Sequence, residues 1–297
     1  MLYYLLINQQ VSGVFMAIKL IIDSSSDIDE AEAKKRNIIM IPIEVSFGDK
    51  TYLDGVNLTK NEFFEKLIET DVFPKTSQIN KFRYDEAFSK AVEDGSDAIC
   101  ITLSSKLSAT CHGAVDAAKK YNGKVRVVDS KNACIGERVL IDYAQKLINA
   151  NKTLDEIENE LNSVKGKIRV LALLNTLQYL QKGGRISLMT AFAGGLLNIK
   201  PVVAVKDGEV KLVGKAMGSK KGNNLLAQLI EKSGGVDFNM PYGVGYSGLS
   251  DELLKKYLAD SAHMWQGNTD GIPVYQVGST IGAHVGPGGI VVAFFSK

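Results

Sequence analysis

The sequence predicts an α/β protein of two domains: an N-terminal doubly wound parallel sheet, then a C-terminal α/β domain with a mixed or antiparallel sheet. Three observations carry this expectation. Short apolar runs alternate with helix-period segments through about residue 165, the pattern of strand–helix–strand crossovers. Beyond Gly166 a hairpin signal takes over, with Asp207-Gly208 set between two apolar runs. The chain has 297 residues, whereas single domains commonly run to ~100–200. The boundary is placed near Lys165 to Lys167, giving domains at 16–165 and 166–297.

Taken in order, Ala17 to Ile22 is a short apolar run that reads as a buried strand. It ends in Asp23-Ser-Ser-Ser-Asp27, whose hydroxyls are suited to capping a helix over Ile28 to Asn37. Ile38 to Phe47 is extended, with Pro42 marking an edge or a bend. Thr59 with Glu62 spells a capping box, and the helix behind it gathers Phe63, Phe64, Leu67 and Ile68 on one side. Thr76-Ser77-Gln78 precedes a helix reaching about Glu93. Ala98 to Leu103 is again a buried strand, followed by Ser104-Ser-Lys-Leu-Ser108 and a helix to about Tyr121. Lys124 to Val128 is a strand ending at Asp129-Ser130. Ala133 to Ala150 is helical, and Thr153 with Glu156 forms a second capping box. In the second half, Ile168 to Leu173, Pro201 to Val205, Val210 to Val213, Gly243 to Gly248, Val274 to Val277 and Gly289 to Phe295 supply strands.

Composition excludes several function classes. Hydrophobic residues make up 45% and charged residues 23%, ordinary values for a globular chain. A formal net charge of +2 with no lysine–arginine run gives no basic stripe for nucleic acid. Cys100, Cys111 and Cys134 have neither metal nor redox spacing, which suits a reduced cytoplasm and small apolar roles. The opening MLYYLLINQQVSGVF lacks a basic leader region and is interrupted by Asn8, Gln9 and Gln10. It fits neither a signal peptide nor a membrane span, so stable membrane insertion is not expected. Residues 1–15 are taken as an extension to a fold that starts at Met16.

Few residues stand out for chemistry. Gly243-Val-Gly-Tyr-Ser-Gly248 matches a dinucleotide fingerprint, yet its glycines fall inside the strand rather than after it, so they read as structural. His112, His263 and His284 lack partners at metal-ligand spacing, and no metal site is expected. His284 differs in its setting, Gly282-Ala-His284-Val-Gly286-Pro-Gly-Gly289, where the backbone can bend close to a ligand. Gly183-Gly184 can end a helix and start an exposed loop at Arg185. Ser24 to Ser26 and Ser130 are best taken as caps, while Ser104 and Ser105 lie in the loop itself and Thr76-Ser77 fits either role. Sequence alone does not bring Thr76, Ser104 and His284 together.

Asp23-Ser-Ser-Ser-Asp-Ile28, Lys75-Thr-Ser-Gln78, Leu103-Ser-Ser-Lys-Leu-Ser108, Val128-Asp-Ser-Lys131, Lys182-Gly-Gly-Arg185-Ile, Lys200-Pro-Val and Ile281-Gly-Ala-His284-Val-Gly-Pro-Gly288 occur in one order along nearly the whole chain from Met16. Together they resemble the DegV family, whose well-studied members are the fatty-acid-binding B subunits of bacterial fatty acid kinases. Ile79, Ala109 and Cys111-His112 depart from residues common at those places in the family, which bears on chain preference.

The resemblance implies a long-chain fatty acid, such as palmitate, stearate or oleate, in a tunnel between the two domains, and no other cofactor. It implies that Thr76, Ser77, Ser104, Ser105, Gly282 and His284 surround the carboxylate. Arg185 and His284 would face an ATP-binding kinase partner or its phosphate, so the chain would be a lipid-binding protein rather than an enzyme, with no catalytic residue of its own. Two alternatives stay open: an acyl hydrolase using Ser104 or Ser105 with His284, and a small-molecule or anion sensor.

Overall fold

The computed structural model describes residues 17–186, 198–265 and 269–297. The expected extension at residues 1–15 lies outside the described residues, as does Ser187.

The chain enters through β1 (Ile18–Asp23), makes a 3-10 turn at Ser24–Ser26, and continues through α1 (Glu30–Lys35) to β2 (Ile38–Ile41). β3 (Glu44–Phe47), β4 (Lys50–Leu53) and β5 (Lys75–Ser77) form a small antiparallel sheet, with α2 (Lys60–Glu69) between the last two. Then come α3 (Lys81–Val92), β6 (Asp97–Thr102), α4 (Thr110–Ala118), β7 (Val125–Asp129), α5 (Ile135–Asn149) and α6 (Leu154–Val164). β1, β2, β6 and β7 make a parallel sheet in the order β2-β1-β6-β7. Leu20, Ile21 and Ile22 are all buried, so β1 is covered on both faces, as a parallel sheet requires.

A 3-10 turn at Lys165–Lys167 leads into β8 (Ile168–Leu173) and α7 (Gln178–Lys182). After these the chain forms β9 (Ile199–Lys206), β10 (Glu209–Met217), α8 (Ser219–Lys232), β11 (Tyr242–Ser247) and α9 (Glu252–Asp260). It ends with β12 (Val274–Gln276), α10 (Ser279–Val285) and β13 (Gly289–Phe295). The strands build a six-stranded sheet ordered β10-β9-β8-β13-β11-β12, antiparallel except where β11 meets β12. The β9–β10 hairpin turns on Asp207 and Gly208 with φ of 51° and 84°, the left-handed pair that a tight hairpin needs.

α5 lies between the two large sheets. Its Val139 and Leu140 share one core with Leu20, Ile22 and Ile101 on one side and Val170, Val291 and Ala293 on the other. The approach is close enough to dictate glycine. A Cβ on Gly136 would stand 2.1 Å from Val170, and one on Gly245 would stand 2.4 Å from Ile135. Gly243 and Gly245 lie within β11 itself, so the fingerprint-like glycines make room for a helix and a neighbouring tyrosine, Tyr275.

Several local expectations need correction. Pro42 divides Ile38 to Phe47 into two strands that join different sheets, because proline has no N–H to continue a ladder. Ser24 to Ser26 are the 3-10 turn itself rather than caps. The carboxylates of Asp23 and Asp29 cap that turn and α1, which starts at Glu30 and not Ile28. Ser130 closes a turn with Asn132. Thr76 and Ser77 are strand residues, and Asn80 caps α3. Both capping boxes are present. His284 lies in the helix α10, since the glycine run begins only after Val285.

Candidate functional site

A cavity opens between the parallel sheet and the inner face of the six-stranded sheet. Val170 and Ala172 of β8, Val203 and Val205 of β9, Val210 of β10 and Val291 of β13 line one wall. Ile43, Leu103, Leu107, Ala133 and Cys134 line another. The empty space bounded by these residues, part of the solvent at its opening included, is about 900 Å³, and the centre of a water-sized sphere reaches about 110 Å³ of it. The interior space is therefore confined. Its polar lining is confined to Thr76, Ser77, Gln78, Ser108, Arg185, Thr280 and His284. Ser77 and Gln78 are exposed, so the cavity meets solvent beside them.

α10 presents His284 because carboxylates fix its start. Asp54 accepts from the Ser279 and Thr280 amides at 3.1 and 3.2 Å and from the Ser279 hydroxyl. Asp27 accepts from the Gly278 amide at 2.8 Å. These bonds satisfy helix-start donors that would otherwise be buried unpaired. On the outer face of α10, Gly282 lies flat against α2, where a Cβ would fall 2.5 Å from the Phe63 ring. Gly282 therefore packs on aromatic rings, and Thr280, Ile281, His284 and Val285 turn to the cavity.

His284 Nε2 lies 3.0 Å from the Thr76 hydroxyl. Its Nδ1 is buried and has no partner among the described residues. Gly183 makes the space, since a Cβ there would meet that nitrogen at 2.3 Å. Burial, and then the nearby Arg185 charge, push the His284 imidazolium down to about 4, so the ring is neutral at pH 7. Gly184, at φ 71°, ends α7 and turns the chain to Arg185. Arg185 is half-buried rather than an exposed loop residue. It donates to the Leu107 carbonyl at 3.2 Å and to the Gly183 carbonyl, and it is the cationic side chain among the lining residues.

Ser104 and Ser105 sit differently. The Ser104 hydroxyl donates to the Gly208 carbonyl at 2.7 Å and that of Ser105 to the Asp129 carboxylate at 2.6 Å. Neither residue lines the cavity, and His284 pairs with Thr76 rather than with a serine. Among the described residues the arrangement offers no serine–histidine couple of the kind acyl hydrolysis uses. Leu107 and Ser108 of the same loop do line it. Sequence reasoning missed this, along with Thr280 and the holding roles of Asp27 and Asp54.

The Asp23-to-Asp27 segment works from behind the cavity. Asp23 accepts from the Leu103 amide at 2.9 Å, holding the double-serine loop, and Ser24 accepts from the Ile43 amide at 3.0 Å. Burial pushes Asp23 and Asp27 up to about 6. The Ser25 hydroxyl lies 2.6 Å from Asp23 and 2.7 Å from Glu137. Ser25 is placed as the donor to both carboxylates, and one hydroxyl proton cannot serve two acceptors at once, so we expect the pair to hold a further proton, carried by Glu137. Burial, and then the charge of Asp23, hold Glu137 well above the carboxylate range, in agreement.

A raised folded-state pKa means the fold keeps a proton that the unfolded chain releases. The wild type should therefore lose stability as pH rises from ~4.3 through the folded pKa of Glu137. Glu137→Gln removes the Glu137 share of that slope, leaving the shares of Asp23 and Asp27, and should change stability near neutral pH by less than about 1 kcal/mol. Glu137→Ala should cost about 2–3 kcal/mol. Thermal unfolding across pH measures both, and equal losses in the two variants would refute a protonated Glu137.

The thiols of Cys100 and Cys134 are buried and held well above their usual range by burial. Among the described residues no group of three His, Cys, Asp or Glu side chains is placed to hold a metal ion. No described helix is long and apolar enough to cross a membrane.

Comparison with known proteins gives concordant matches. A family model described as "Uncharacterised protein, DegV family" matches residues 17–297. A DegV domain-containing protein of Caldanaerobacter subterraneus subsp. tengcongensis is 30% identical over 282 residues, 94% of this chain and 99% of the relative. One from Clostridium perfringens is 34% identical over 218 residues, 71% of this chain and 75% of that one. Among solved structures, a Thermus thermophilus DegV family protein described by its fatty acid binding superposes with a TM-score of 0.82 at 27% identity, covering 95% of this chain and 100% of its own. A stearic-acid-binding protein of Eubacterium ventriosum superposes at 0.81 and 25% identity, covering 94% and 98%.

Proposed function

This chain belongs to the DegV family, and from that premise we propose that it binds one long-chain fatty acid, such as palmitate, stearate or oleate, in the cavity between its sheets. The observation that carries this reading is the cavity itself: a narrow apolar bore whose polar groups include one cation. The two domains, 16–165 and 166–297, each supply a wall of the tunnel. Each methylene withdrawn from water contributes ~0.8 kcal/mol, so a long tail supplies most of the gross affinity. A carboxylate is not buried without donors. Thr76, Ser77 and Ser108 offer hydroxyls and Arg185 offers charge, while Ser104 and Ser105 shape the loop that carries Ser108. The narrow bore favours an extended chain over the compact polar ligand of a sensor.

The carboxylate end lies where the cavity meets solvent, so an ATP-binding partner in the cytoplasm could reach it. In that reaction a carboxylate oxygen attacks the γ-phosphorus of ATP held by the partner, the bond to ADP breaks, and an acyl phosphate stays on this chain. Arg185 and His284 would face the incoming phosphoryl group. This chain acts as the lipid-binding subunit and contributes no nucleotide site.

Protein purified gently from a bacterial host is expected to carry one fatty acid per chain. Native mass spectrometry, followed by organic extraction and weighing of the released acid, measures this. A lipid-free chain that also fails to bind added stearate would reject the proposal.

A further inference from the structure

A second cleft lies at the start of β8, adjoining the fatty-acid cavity, with which it shares Val170, Ala204 and Val205. Lys131 from the loop after β7, Lys165 and Arg169 flanking the entry to β8, Lys206 at the end of β9 and Lys232 in the last turn of α8 converge on it. These five cations face one lining carboxylate, Asp207. In a chain of net charge +2, that is a concentration of positive charge. The residues are scattered over about a hundred positions, which is why no basic run marks them in sequence.

None of the five forms an ion pair among the described residues, whereas Arg36, Arg83, Arg126 and Arg138 all do. Lys165 donates to Asn162 and Arg169 to backbone carbonyls. Lys165 is half-buried and its proton affinity is lowered, first by burial; Asp129 acts against this and the like charge of Lys131 adds to it. The cleft is also roomy. Water-sized spheres reach about 610 Å³ of it, within the ~300–1,000 Å³ of small-molecule sites. Val205, Val213 and Leu229 give it an aliphatic side.

We propose that this cleft, which adjoins the fatty-acid cavity but has its own set of cations, is a binding site for a phosphate-bearing anion. Four of the five cations are lysines, which meet a phosphate as point charges, and the planar fork of the fifth, Arg169, matches phosphate oxygens as it does a carboxylate. Several unneutralised cations around one space suit a group of two negative charges. The aliphatic side accommodates a short hydrocarbon portion of the ligand. The phosphate can come from an alkyl phosphate of lipid type or from a free polyphosphate, and the two sources differ in whether a tail adds affinity.

The test uses the full chain preloaded with stearate, so that the fatty-acid cavity is filled. Isothermal titration with inorganic pyrophosphate and with hexyl phosphate should give saturable binding of at least one probe. That binding should weaken as ionic strength rises beyond roughly 0.1 M. The double variant Lys165→Gln/Lys206→Gln should bind the probe about tenfold or more weaker, the loss of one charge-assisted contact or more, while stearate affinity is unchanged. Tighter binding of hexyl phosphate assigns the site to alkyl phosphates, and tighter pyrophosphate assigns it to free polyphosphates. Absence of saturable binding by both probes, or equal binding by the folded double variant, overturns the proposal.

Discussion

Replacing Ala172 with phenylalanine is expected to weaken stearate binding about thirty- to a hundred-and-fortyfold. Ala172 lies on β8 between Val203 of β9 and Val291 of β13 and lines the cavity. A larger side chain has strand neighbours on both sides and one open direction, into the bore. The narrow cross-section leaves no room for a ring beside an acyl chain. Displacing about three methylenes at ~0.8 kcal/mol each removes about 2–3 kcal/mol, and ~1.4 kcal/mol is a factor of ten. Fluorescent fatty-acid displacement reads the affinity and circular dichroism verifies the fold. A folded Ala172→Phe chain with undiminished affinity would place the lipid elsewhere.

The second large effect is at the head group. Arg185→Gln removes the cation from the cavity lining, and a charge-assisted contact contributes ~1.5–3 kcal/mol, so affinity should fall roughly ten- to a hundredfold. The same change acts on His284, whose proton affinity is lowered first by burial and then by Arg185. Its imidazolium should therefore titrate at a higher pH in the variant. Because the folded value, about 4, lies below the unfolded value of ~6.5, the unfolded chain takes up a proton first. The stability that a neutral His284 contributes is present above ~6.5 and is lost as pH falls toward the folded value. Arg185→Gln should shrink that loss. Proton NMR of the ring follows the titration, and an unshifted His284 together with wild-type affinity would remove Arg185 from the site.

Much of the architecture could be read from the sequence because it depends on local signals. Thr59-Glu62 and Thr153-Glu156 carry their caps within four residues, and Asp207-Gly208 carries its hairpin within two. The apolar runs Leu20 to Ile22 and Ile99 to Ile101 announce strands covered on both faces. The site was legible only in part. Thr76 and His284 are 208 positions apart, and nothing local says that their side chains meet. The serines misled because a hydroxyl beside a helix start looks like a cap whether or not a buried carboxylate already serves that end. Asp54 was invisible for the opposite reason: its partners, Ser279 and Thr280, are 225 and 226 residues away. Pro42 was read as an edge or bend, but which sheet each side would join depended on β4 and β5, whose strand character is weak.

The placement of α5 also bears on how a ligand enters. α5 shares its core with residues of both large sheets, and swinging the halves apart on a hinge would strip water-free contacts from one of its faces. Methylene by methylene that is a steep cost, far above the few kcal/mol that separate accessible conformers. If the bore holds the proposed acyl chain, its traffic is expected to pass through small displacements at the rim, near Ser77 and Gln78.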